Sequence, residues 1–294
     1  MASSCSNDFL PVLLSLAAAF LFATGIQFAR LGLEHTDTRT ATLTQIGAAT
    51  LLYWFAAPLF VEGWFFTSPA ILLLAAIGLF RPFLSANLAM AGTRLLGPTI
   101  SSTVSSTAPM FGVFLGVLVL EESLTLPVIT GALGIVLGVA CLSWKGDVSR
   151  TWPLWALALP IGAALLRTLA QMFAKIGMDS IPSPFFVGLV GYTVSFAIAL
   201  LSTRGLARRR PERLWTPGSR WLVLTGLCYG FAILALNTAL QCGQLVVVSP
   251  IVACSPLFSL LLGWFVFRER TIDRRVVLAV VLVVPSVALI ALKG

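Results

Sequence analysis

Two arginines stand where arginine is costly. Arg81 falls inside the apolar run 69–92, directly before Pro82, and Arg167 falls inside the run 152–175. A cation near the middle of a bilayer costs at least about 2.5–3.5 kcal/mol on insertion scales, so such residues usually face a water-filled cavity or a partner. A planar guanidinium in a cavity suits a carboxylate or phosphate. The alternatives are bonds to exposed backbone carbonyls, or a side chain reaching back to the interface. Gln171 follows Arg167 by one helical turn and shares its face. Gln27, Asn87 and Asn237 also lie in apolar runs, as do Gln45, Gln241 and Gln244. Each stays open between an interhelical hydrogen bond and a contact to a solute. Ser102 and Ser106 recur with Thr99, Thr103 and Thr107 at helical spacing, broadened by Ser101 and Ser105, and Ser249 and Ser255 flank Pro250 and Pro256. Small hydroxyl residues let membrane helices pack closely. A polar face this wide also suits the wall of a cavity.

The chemistry that is missing is equally informative. No Asp or Glu falls in the middle of an apolar run, so the carboxylate of a membrane proton relay has no obvious candidate. His35 is the single histidine and lies between runs. There is no phosphate-binding Gly-x-x-x-x-Gly-Lys loop, no metal-ligand spacing and no nucleophile–base arrangement. Neither an enzyme nor a cofactor or metal is expected. The five cysteines, Cys5, Cys141, Cys228, Cys242 and Cys254, show no disulfide or metal spacing and read as small packing residues.

The elements that must position these groups are membrane helices. The chain is 58% hydrophobic and 10% charged, where a soluble domain has about 25% charged residues, so it could not cover a water-facing surface. A bilayer core of about 30 Å needs about 20 apolar residues per helix. Ten such runs are present, at 9–30, 40–61, 69–92, 97–120, 124–143, 152–175, 183–203, 219–241, 245–267 and 272–292. Residues 1–8 lack the basic stretch of a cleaved signal peptide. The net charge of +8 does not indicate nucleic acid, because the basic residues sit in short gaps between runs. The stretch Arg208–Arg213 reads as a solvated loop beside the headgroups.

A duplication organises the ten runs. Residues 109–122 match 256–269 without a gap at Pro109/Pro256, Phe111/Phe258, Leu115/Leu262, Gly116/Gly263, Val119/Val266 and Glu122/Glu269. Residues 28–34 resemble 173–179 at nearly the same offset. The expected division is therefore 1–147 and 148–294, each with five helices. Fifteen of the 19 Lys and Arg residues fall in the odd-numbered gaps, and only Lys175 and Lys293 lie on the other side. By the positive-inside rule the odd gaps are cytoplasmic and both termini are not. Five helices per half then make the repeats inverted, the geometry of alternating-access carriers. The fold class read from sequence is an all-α polytopic membrane protein with ten transmembrane helices in two inverted five-helix repeats. Pro109 and Pro256 read as hinges or kinks, and Pro82 as a kink that frees the carbonyl of Gly78. Glu122 and Glu269 read as caps of their turns, Glu122 beside the start of the fifth helix. The pairs Gly112/Gly116 and Gly134/Gly138 would let helices approach closely, without establishing a dimer.

Two five-helix repeats, each with a Pro, a small-residue stretch and a terminal Glu, resemble the drug/metabolite transporter superfamily, and within it the EamA-like family. The resemblance covers nearly the whole chain. It implies that the fourth and ninth helices line a central cavity with the first, third, sixth and eighth, while the fifth and tenth pack at the sides. Relatives often carry a basic loop after the second helix and keep their termini inside. Here residues 60–69 hold no Lys or Arg, and the chain's own charge distribution takes precedence. The expected function is a secondary transporter or facilitator of small metabolites, an exporter by resemblance, taking amino acids or other carboxylate-bearing solutes. The alternative is a flippase-like protein for lipids or lipid carriers. The expected place is the cell inner (plasma) membrane, with a small solute and the bilayer as partners and no nucleic acid; a homo-oligomer is left open.

Overall fold

The computed structural model describes residues 9–143, 153–205, 217–267 and 274–293. Among these residues the chain is all-helical, without a strand. Its α-helical segments are α1 (Leu10–Leu33), α2 (Thr38–Phe60), α3 (Ala70–Gly78), α4 (Ser85–Ser105), α5 (Ala108–Leu120) and α6 (Leu126–Ser143) from the first half. The second half supplies α7 (Ala158–Ser180), α8 (Pro184–Gly205), α9 (Ser219–Cys242), α10 (Leu245–Val252), α11 (Ser255–Phe267) and α12 (Arg274–Lys293). Six stretches are long and apolar enough to cross a bilayer: Leu10–Leu33, Thr40–Phe60, Leu154–Ser180, Pro184–Ser202, Ser219–Cys242 and Leu245–Trp264. Four shorter apolar helices are Ala70–Arg81, Ala108–Leu120, Leu126–Cys141 and Val277–Leu292, and α4 belongs to neither set.

Three expected spans are broken, each next to proline. Pro82 has no N–H to give the carbonyl four residues back. The helix opens into a wide turn over Leu79–Leu84, with Arg81 in an extended conformation at φ −141° and ψ 131°. The Gly78 and Arg81 carbonyls both accept from the Ser195 hydroxyl of α8, at 2.5 and 3.0 Å. The freed carbonyl foreseen from Pro82 is thus satisfied by the other half of the chain. The other two breaks are related by the duplication: Ser106–Thr107 ahead of Pro109, and Ala253–Cys254 ahead of Pro256. In each, proline opens the next helix, where a missing N–H is harmless.

Within α4 the chain reverses direction. Residues eight apart on a straight α-helix are about 12 Å apart, yet the Thr93 hydroxyl donates to that of Ser101 at 3.3 Å. The reversal lies where the sequence places the gap between the third and fourth runs.

The halves are packed through each other. α1 lies on α9 and α11, α3 and α4 on α7, α5 on α10, and α6 on α12. Small residues make the close approaches. Gly131, Gly134 and Gly138 of α6 face Ile290, Ser286 and Val283 of α12, leaving no room for a Cβ. Gly112 and Gly116 of α5 lie equally close to Ser249 and Val246 of α10. Both glycine pairs singled out in the sequence therefore serve packing within the chain. Tyr53, Phe186, Leu74, Leu236 and Leu240 are among the large side chains fully buried at the centre.

Candidate functional site

A cavity of about 470 Å³ lies between the two halves, walled by residues of α1 and α3–α11. The resemblance implied walls from helices one, three, four, six, eight and nine. The structure adds the seventh, as α8 contributes Val187, Gly188, Gly191 and Tyr192, and also the fifth, expected at the side, as α6 contributes Val139. A Cβ at Gly188 would collide with the Tyr53 ring behind that wall.

Both arginines face this space. The extended backbone at the α3 break directs Arg81 inward, its guanidinium 5.4 Å from the centre of the Phe22 ring. Arg167 projects from α7 and is close enough to repel it, while Tyr192 and Tyr53 stand nearby. Each arginine is half-buried, with its exposure opening onto the cavity. Among the described residues, no hydrogen bond or ion pair reaches either guanidinium, and no Asp or Glu lines the cavity. A cavity holding two cations and no described carboxylate favours an anion.

The neutral groups sort into three sets. Gln171, Asn237, Ser105, Ser106, Ser249 and Ser255 line the cavity. Gln171 is 9% exposed and, among the described residues, its Oε1 has no hydrogen-bond donor. Asn237 uses its amide N–H to donate to the Pro184 carbonyl at 3.2 Å. Gln27 serves otherwise: its amide donates to the carbonyl and hydroxyl of Ser259 at 2.7 and 3.0 Å, tying α1 to α11. Asn87 is exposed on α4 and is not part of the wall. Gln241 and Gln244 donate to the Pro182 carbonyl and the Ser123 hydroxyl, at 3.0 and 3.4 Å. The side chains of Ser102, Thr99 and Thr103 lie outside the described residues. Sequence reasoning missed Phe22, Tyr192 and Tyr229, which line the cavity, because the chain carries aromatic residues in nearly every run and nothing in their spacing marks these three.

One end is held by a charged clasp. Glu121 ends α5 in the left-handed conformation, φ 52°, and the Glu122 N–H donates back to the Gly116 carbonyl at 3.0 Å. This turn presents Glu122 to the opposite half. Its carboxylate accepts from the Leu245 and Val246 N–H groups at 2.8 and 2.9 Å, capping α10, and from Lys175 Nζ at 2.7 Å. Lys175 also donates to the Gly243 carbonyl at 2.5 Å. Glu122 thus caps a helix, but that helix is α10 rather than the one following its own turn. Its side chain is only 6% exposed. Glu269, its counterpart in the duplication, lies outside the described residues.

The cysteine reading needs one correction. Cys242, at the end of α9, is disulfide-bonded. Cys141, Cys228 and Cys254 are free and Cys5 lies outside the described residues. Spacing could not reveal the bond, because no local pattern around Cys242 marks it. Among the described residues no cluster of His, Cys, Asp or Glu could hold a metal ion.

No curated protein matches the chain. A solved structure titled only "Crystal structure of protein" superimposes with a TM-score of 0.79 at 17% identity, covering 96% of each chain, which establishes a shared fold. The sequence profile of the EamA-like transporter family matches residues 9–144 and again residues 153–292. Those two matches coincide with the halves that interleave around the cavity, and together they span nearly the whole chain, which therefore belongs to the EamA-like transporter family.

Proposed function

We propose that the protein is a secondary transporter that carries small carboxylate-bearing solutes, amino acids among them, by alternating access. Membership of the family makes it a multi-pass membrane transporter of small solutes. The observation that carries the finer reading is the cavity between the halves, where Arg81 and Arg167 lack an acidic partner among the described residues. Ten spans in two inverted repeats would place that cavity near the middle of the bilayer, with proline breaks at Pro109 and Pro256 as flexible points in the wall. The positive-inside distribution puts both termini outside a cell inner (plasma) membrane. The disulfide at Cys242 fits this orientation, since it sits on the side so assigned and such bonds persist in oxidising compartments. Export is the direction that the family habit favours.

The reading is tested with purified protein in proteoliposomes loaded separately with labelled glutamate, malate, lysine and putrescine. Glutamate or malate should leave faster than from protein-free vesicles, while lysine and putrescine should stay at background. Transport of the cations alone would overturn the anion reading.

A further inference from the structure

We infer that the preferred solute is a dianion, with two negative charges that engage Arg81 and Arg167 together. This deepens the reading above and rests on it, since that reading requires only one carboxylate. Both guanidiniums face one cavity of about 470 Å³ and stand within electrostatic reach of each other. The described lining has no acidic residue to neutralise either, and its other polar groups are hydroxyls, phenols and amides. A carrier must close around its solute to present it to the far side, and closure expels the water that screens charge. In the drier site each unmatched charge becomes costlier. A monoanion leaves one cation unmatched at that moment, and a cation adds a third positive charge. A dianion brings the lining and its cargo to neutrality. It also relieves the mutual repulsion of the two arginines, which no single monoanion bound at one of them can do fully.

Calorimetric titration of the full-length protein in nanodiscs at neutral pH tests this. Succinate, malate and inorganic phosphate are compared with monomethyl succinate and lactate. One additional charge-assisted contact corresponds to about tenfold or more in affinity, so at least one dianion should bind that much more tightly than both monoanions. Arg167→Gln should erase the preference while monoanion binding persists, and Arg167→Lys should largely restore it. Equal binding of monoanions and dianions by the wild type would overturn the dianion inference and leave the anion reading standing. So would an Arg167→Gln variant that weakens both classes by the same factor. Binding of none of the five anions would overturn both.

Discussion

Arg81→Ala stops transport of anionic solutes in proteoliposomes while the purified protein melts at or above the wild-type temperature. The two halves of this expectation come from the same physics. Arg81 donates no side-chain hydrogen bond and forms no ion pair among the described residues, and its visible compensation is the Phe22 ring. A desolvated cation–π contact contributes about 2 kcal/mol, whereas holding the cation at that depth costs at least about 2.5–3.5 kcal/mol. Removing the side chain therefore leaves stability unchanged or raises it. Function moves the other way, because a lost charge-assisted contact of about 1.5–3 kcal/mol weakens solute binding about ten- to hundredfold. Arg81→Lys should fall between, keeping the charge but losing the planar fork. An arginine whose role was to brace the α3 break would behave oppositely, its loss lowering the melting temperature along with transport. The break itself is braced by Ser195, whose hydroxyl serves both freed carbonyls.

Glu122→Ala produces the largest loss of stability. It removes the cap from the first turn of α10 and leaves Lys175 with the Gly243 carbonyl alone. A lost N-terminal cap costs about 0.5–2 kcal/mol, and breaking a buried ion pair by deleting one partner costs about 3–5 kcal/mol. Lys175 is 23% exposed, so the second figure belongs at its lower end, and the combined loss is about 3.5–5 kcal/mol. Glu122→Gln should cost less, since its amide oxygen can still accept from α10. Lys175→Met should cost least, because Glu122 keeps both backbone donors. Exchanging the charges, with Glu122→Lys and Lys175→Glu combined, should not restore stability, since a cation cannot cap a helix N-terminus. Melting temperatures of the four variants check the order; rescue by the exchanged pair would show that simple charge pairing, and not the cap, holds the halves together.

The Glu122 clasp marks the boundary of what the sequence can disclose. Its role as a cap follows from its place after an apolar run, but Leu245 lies 123 residues away, and no local pattern specifies which helix start the turn will meet. The same limit explains Gln27. Its type and depth show that it must bond something, and Ser259 becomes its partner through the packing of α1 on α11. Features set by the chain's own covalent chemistry were readable. Pro82 dictates an orphan carbonyl at Gly78, and the repeated Pro109 and Pro256 dictate breaks at matching places. The small-residue spacing at Gly134 and Gly138 forecast a close approach, though not that α12 would make it. Arg81 and Arg167 were legible as costly residues, one by one. That they share a cavity without a carboxylate among the described lining residues is a property of the assembled fold.

The space between the repeats should attract anions whatever the solute, and one measurement probes that directly. Ser106→Cys places a thiol on the cavity wall, in a background where Cys141, Cys228 and Cys254 are alanine. Its reaction is timed with an anionic methanethiosulfonate, the sulfonatoethyl reagent, and with a cationic one, the trimethylammonioethyl reagent. The anionic reagent should react about tenfold faster or more after correction for intrinsic reactivity, as expected where charge of one sign concentrates in a low-dielectric cleft, and Arg81→Gln with Arg167→Gln should abolish the difference. Equal rates, or a preference for the cation, would contradict it.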